Sequence, residues 1–95
     1  MSVGERRDAW RPVLAAEMKR WSAMSSERLA AELADDQVYE VEFESRKFQV
    51  EVELLENTER YLHVAVSVDD GSLPASIRPL TGSFIRSKES ARTER

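Results

Sequence analysis

Between Val38 and Val68, apolar and polar residues alternate almost without interruption, and this alternation constrains the chain more than any other feature. Successive side chains of a strand point to opposite faces, so such a run makes half-buried strands with one apolar face and one polar face. Tyr39, Val41 and Phe43 alternate with Glu40, Glu42 and Glu44. Phe48, Val50, Val52 and Leu54 alternate with Gln49, Glu51 and Glu53, and Leu62, Val64, Val66 and Val68 with Tyr61, His63, Ala65 and Ser67. Turn-forming stretches at Ser45–Lys47, Glu56–Glu59 and Asp69–Ser72 separate the runs. Three consecutive half-buried strands predict an antiparallel meander.

The pattern fixes the faces but not the register. A tight turn at Arg46-Lys47 would pair Phe43 with Val50 and Val41 with Val52, and a shift of two residues keeps the same faces. Each of these registers is expected to set glutamates beside or opposite glutamates, which weakens a ladder.

The N-terminal third is predicted to be helical. Asp8 suits an N-cap and Pro12 a first turn, where a missing N–H is tolerated. Trp10, Val13, Leu14, Met18 and Trp21 form one apolar stripe, with Glu17, Lys19 and Arg20 expected off its centre. Ser25 then suits a second N-cap, with Met24 and Leu29 at the positions of a hydrophobic staple. Leu29, Ala30 and Leu33 supply the buried side of this helix, and Asp35-Asp36 ends it. One long kinked helix is the alternative. One or two helices on one face of a three- to four-stranded sheet make an α+β fold, because neither amphipathic layer buries its apolar side alone.

After Gly71 the pattern is less regular. Leu73, Ile77, Leu80, Phe84 and Ile85 are apolar, but Pro74, Pro79 and Gly82 interrupt them. Proline removes a ladder donor, so any strand near Ala75–Arg78 should be short or at an edge. Residues 1–86 are read as one domain and 87–95 as a flexible charged tail.

The chain has 95 residues, a net charge of −4, one histidine and no cysteine. Disulfides and thiolate chemistry are therefore excluded. The first seven residues carry no apolar stretch and no apolar run approaches 18 residues, so neither a signal peptide nor a membrane span is expected. A cytoplasmic protein fits. Residues 35–56 hold eight carboxylates against two cations, a local charge of −6. That concentration disfavours nucleic acid at the sheet. The tail cations Arg86, Lys88, Arg92 and Arg95 are interspersed with Glu89 and Glu94, which makes no basic patch.

Catalytic motifs are missing. Asp69-Asp70-Gly71 starts like a calcium loop but lacks the alternating ligands and closing glutamate. Glu40, Glu42, Glu51 and Glu53 on a flat solvated face lack the cleft that would separate their pKa values for glycosidase chemistry. If Leu54 pairs with Leu62, His63 stands opposite Glu53, which reads as an exposed ion pair or, functionally, as an acid/base pair or weak metal site with Glu51 or Glu53. Zinc would need three or four converging ligands. Trp10 and Trp21 read either as core or, with one exposed, as a partner anchor. No catalytic residue, metal or cofactor is predicted.

The segment Phe48–Ile85, with Leu62–Gly71, Arg78-Pro79-Leu80 and Ser83-Phe84-Ile85 within it, resembles a group of small uncharacterised bacterial proteins. The resemblance spans about 40 residues and implies a bacterial, cytoplasmic protein with a helical start, a meander and a short last strand. It assigns no site residues.

The functional expectation is a non-enzymatic protein-binding or regulatory module. It would meet another, basic protein through Glu40, Glu42, Glu51, Glu53 and His63, or through a helix edge bearing Trp10 and Trp21. Two other readings stand beside it. One is a ligand-binding or enzymatic pocket between helices and sheet around Trp10, Trp21 and Tyr39. The other is a homodimer joined at the C-terminal edge or a helix stripe.

Overall fold

A computed structural model describes residues 9–71 and 79–88. Two helices precede a four-stranded antiparallel sheet: α1 (Arg11–Ser22), α2 (Ser26–Glu32), β1 (Gln37–Phe43), β2 (Arg46–Asn57), β3 (Tyr61–Asp69) and β4 (Leu80–Ser87). The strands lie in the order β1-β2-β3-β4, a simple meander. No helix among the described residues is long and apolar enough to cross a membrane.

The two helices are separate: α1 ends at Ser22 with Ala23 as its C-cap, and Ser25 starts α2. The Ser25 backbone is extended and its side chain accepts the Arg28 N–H at 3.1 Å. Met24 and Leu29 flank the cap at staple positions, with Leu29 fully buried and Met24 packed on the core. At the start of α1, Trp10 holds the N-cap position without a side-chain cap, and Pro12 sits in the first turn. Asp8, the predicted cap, lies outside the described residues.

The alternation decides the faces as predicted. Phe48, Val50, Val52, Leu62, Val64, Val66 and Val68 are each at most 2 % exposed and meet Trp10, Val13, Trp21, Leu29 and Leu33. Burying side chains of this size contributes about 1.5–3 kcal/mol each. Trp10 meets Phe48 edge-on with ring centroids 6.4 Å apart. The helices are not centred on the sheet: α1 packs over β4 and β3, and α2 over β3. The inner side chains of β1 (Tyr39, Val41 and Phe43) are consequently only half-buried.

The first hairpin is four residues off the register that a turn at Arg46-Lys47 would set. Val41 pairs with Phe48 and Tyr39 with Val50, and the two-residue loop is Glu44-Ser45. Both loop residues have positive φ, 53° and 68°, the signature of a type I′ turn that matches strand twist. Glu-Ser is not a dipeptide that announces such a turn, so the sequence hides it. The register also removes the direct repulsion expected between glutamates, since Glu40 faces Gln49, Glu42 faces Lys47 and Glu51 faces Val38 and Ser67. At the hairpin tip, Arg46 donates to Asp70 and lies over the Phe48 ring, tying the tip to the far end of β3.

The second hairpin carries a bulge between Leu54 and Glu56, so Leu55 stands outside the ladder and is 47 % exposed. Thr58 Oγ1 closes the following turn by accepting the Arg60 and Tyr61 N–H groups. The fourth strand runs through Ser87, which pairs with Tyr61, and the Lys88 N–H then donates to the Arg60 carbonyl at 2.9 Å. Ser87 therefore belongs to the sheet rather than to a tail. The stretch Ala75–Arg78, where any strand should be short or at an edge, and the chain after Lys88 lie outside the described residues.

One expectation on α1 fails. Glu17 is 8 % exposed, not off the stripe. Trp10, Val13, Glu17 and Trp21, at spacings of three, four and four, are its buried line. Glu17 is tolerated there because the Tyr39 hydroxyl donates to it at 2.5 Å and Arg20 reaches it at 3.5 Å.

Candidate functional site

The face of the sheet turned away from the helices collects the predicted site residues. On β1 it carries Val38, Glu40 and Glu42, and on β2 it carries Lys47, Gln49, Glu51 and Glu53. Glu40, Glu42 and Glu51 are exposed, whereas Glu53 is half-buried. Asp36, just before β1, continues the even-numbered row. Its carboxylate and those of Glu51 and Glu53 lie within 4.8 Å of one another. All three are side chains of one charge type, and no imidazole joins them. A shallow depression beside them is lined by Gln49, Glu51, Ser67, Asp69 and Pro79.

His63 is on this face but not against Glu53. The bulge at Leu55 slides β2, so Glu53 pairs with Ala65 and Glu56 pairs with His63. The His63 Nδ1 lies 4.0 Å from Glu56 Oε1, and its Nε2 lies 3.1 Å from Ser83 Oγ on β4. The Tyr61 hydroxyl donates to the same Glu56 oxygen at 3.1 Å, which raises the Tyr61 pKa above its ordinary value. Ser83, His63 and Glu56 thus stand in the order of a nucleophile, a base and an orienting carboxylate. The carboxylate contact is too long for a hydrogen bond and the row lies open on the sheet face, so the group acts as a cross-strand polar ladder. Ser67 and Thr81 make the neighbouring rung at 3.0 Å.

The tryptophans do not form a binding edge. Trp10 is fully buried and Trp21 is 3 % exposed, because the stripe of α1 faces the sheet. Nor do they line an open pocket with Tyr39: the Trp21 Nε1–H donates to the Tyr39 hydroxyl at 2.7 Å, and that hydroxyl in turn donates a hydrogen bond to Glu17. Burial and the Glu17 carboxylate push the Tyr39 pKa up to about 12. Arg20 covers both rings, its guanidinium carbon 5.8 Å from the Trp21 centroid and 5.4 Å from that of Tyr39. The calcium-like stretch is a turn. Asp69 accepts the Gly71 N–H at 2.7 Å, Gly71 has φ +78°, and Asp70 is taken by Arg46.

Tyr61 was predicted for this face, whereas Asp36, Glu56 and Ser83 were not. Asp36 was readable, since it shares the parity of Glu40 and Glu42. Glu56 and Ser83 were not, because one depends on a bulge and the other on where β4 begins.

Comparison with protein-family models, with curated proteins and with solved structures finds no match.

Proposed function

We propose that this chain is a non-enzymatic binding module that engages a basic partner protein through the outer face of its sheet. The observation that carries this reading is the gathering of Glu40, Glu42, Glu51, Glu53 and Asp36 on one side, with Lys47 as the near cation. The apolar side of β2 is committed to the core, and that of β1 packs half-buried against it. Such a face speeds encounter with cations and repels phosphate backbones. The protein is read as cytoplasmic and bacterial on the strength of its composition and its resemblance.

Immobilised wild-type chain and a charge-neutral variant, E40Q/E42Q/E51Q/E53Q, test the reading as paired baits at low and high salt. Partners retained by wild type at low salt, released at high salt and missed by the variant support it. Equal retention by both baits, or retention that ignores salt, overturns it.

A further inference from the structure

The strand order leaves β1 as an edge of the sheet among the described residues. Edge strands present unpaired N–H and C=O groups and are commonly blunted by proline, lysine, a bulge or a covering helix. The seven residues of β1, Gln-Val-Tyr-Glu-Val-Glu-Phe, contain neither proline nor lysine, and their pairing to β2 runs without a bulge. The helices cover β3 and β4 instead. The type I′ turn closes on the pair Phe43 and Arg46, so alternation along an antiparallel ladder turns the N–H and C=O of Val38, Glu40 and Glu42 toward the open side.

The side chains on that edge choose among occupants. A second copy pairing antiparallel over the length of β1 about Glu40 sets Glu40 against Glu40, and about Val41 sets Glu40 against Glu42. Like charges directly opposite destabilise a ladder. A strand with cations on its outer face meets the same glutamates favourably. Its inner face would add apolar cover to Tyr39, Val41 and Phe43, which the helices leave half-buried.

We propose that the free edge of β1 accepts, as a fifth strand, an extended segment of a partner protein in which lysine or arginine alternates with apolar residues. This rests on the reading of the outer face as a surface for basic partners and names the way they dock. Main-chain hydrogen bonds give such a complex its affinity, and the alternate side chains give its specificity.

The test uses the full chain and a seven-residue peptide alternating lysine with valine. Two further peptides carry N-methyl groups, one on every lysine amide and the other on every valine amide. In an added strand only one set of peptide amides points at β1. One methylated peptide should therefore lose at least about ten-fold in affinity while the other binds like the parent. Amide exchange at Val38, Glu40 and Glu42 should slow on binding, with Thr81, Ser83 and Ile85 on the opposite edge unchanged. The variant E40K/E42K should prefer a peptide alternating glutamate with valine. If both methylated peptides bind like the parent, charge alone holds the peptide, and strand addition is overturned while the binding face stands. If the parent peptide fails to bind, strand addition is likewise overturned, and the face is judged by its own salt-dependent retention.

Discussion

The Tyr39 hydroxyl donates to Glu17 at 2.5 Å while accepting the Trp21 indole N–H at 2.7 Å, and this chain joins β1 to α1 inside a mostly apolar layer. The hydroxyl is the one group that satisfies both neighbours. Tyr39→Phe leaves a buried carboxylate and a buried indole N–H each short of a partner. A loss of about 1–3 kcal/mol in urea-unfolding free energy is expected. A loss below about 0.5 kcal/mol would show that water takes the place of the hydroxyl.

The same residue makes stability depend on alkaline pH. Its folded pKa of about 12 lies above the ordinary 10.0 of an unfolded tyrosine, so the folded state holds its proton more tightly. The contribution is complete below pH 10, declines as the unfolded chain begins to release its proton, and is lost as pH rises through 12. The midpoint of urea unfolding should fall over that window in wild type and fall less in Tyr39→Phe. Equal slopes in the two proteins would contradict the assignment.

Glu44 and Ser45 pose a second problem of local conformation. Left-handed backbone costs an ordinary L-residue about 1–2 kcal/mol, and here two such residues adjoin. Asparagine and glycine are the residues this turn prefers. Ser45→Gly should therefore stabilise the protein by about 1 kcal/mol, and E44N/S45G by more, seen as a raised urea midpoint with an unchanged slope. A lower midpoint would mean that Ser45 makes a contact worth more than the strain.

These two sites show where the sequence was legible and where it was not. Alternation along β1 to β3 is a property of every residue in the run, so the faces and the buried line Val64-Val66-Val68 could be read directly. The Ser25 cap was equally readable because one side chain specifies it. Register is different: a shift of two residues preserves every face, so the choice fell to a turn with no sequence signature. The bulge at Leu55 is a single extra residue, yet it moved His63 from Glu53 to Glu56. Glu17 was misjudged because its burial depends on Tyr39, a partner 22 positions away. On the outer face, the glutamates followed from parity alone, whereas Ser83 needed the position of β4.

Gly82 fixes how closely α1 approaches β4. It points inward beneath the helix, and a Cβ there would meet the Met18 Sδ and Cε at 3.4 Å and Leu14 Cδ2 at 3.5 Å. Met18 is flexible and can yield by a few tenths of an ångström. Gly82→Ala should thus change stability by less than about 1 kcal/mol. Gly82→Ile extends past that space and should cost about 1–3 kcal/mol by overpacking. Thermal melts of the two variants separate the cases, and equal melting temperatures would place α1 farther from β4 than described.

The row Ser83, His63 and Glu56 gives the non-enzymatic reading its sharpest test. A serine nucleophile needs a base held by a firm hydrogen bond to its orienting group and a pocket that stabilises the oxyanion. Here the His63 Nδ1 is 4.0 Å from Glu56 Oε1, and the Tyr61 hydroxyl already occupies that oxygen at 3.1 Å. The row should therefore behave as surface imidazole. Hydrolysis of p-nitrophenyl acetate is expected to be slow and without a burst, to fall to background in His63→Ala and to be unchanged in Ser83→Ala. A burst of nitrophenolate that Ser83→Ala abolishes would mean an acyl-serine forms, and the chain would then have to be treated as an esterase.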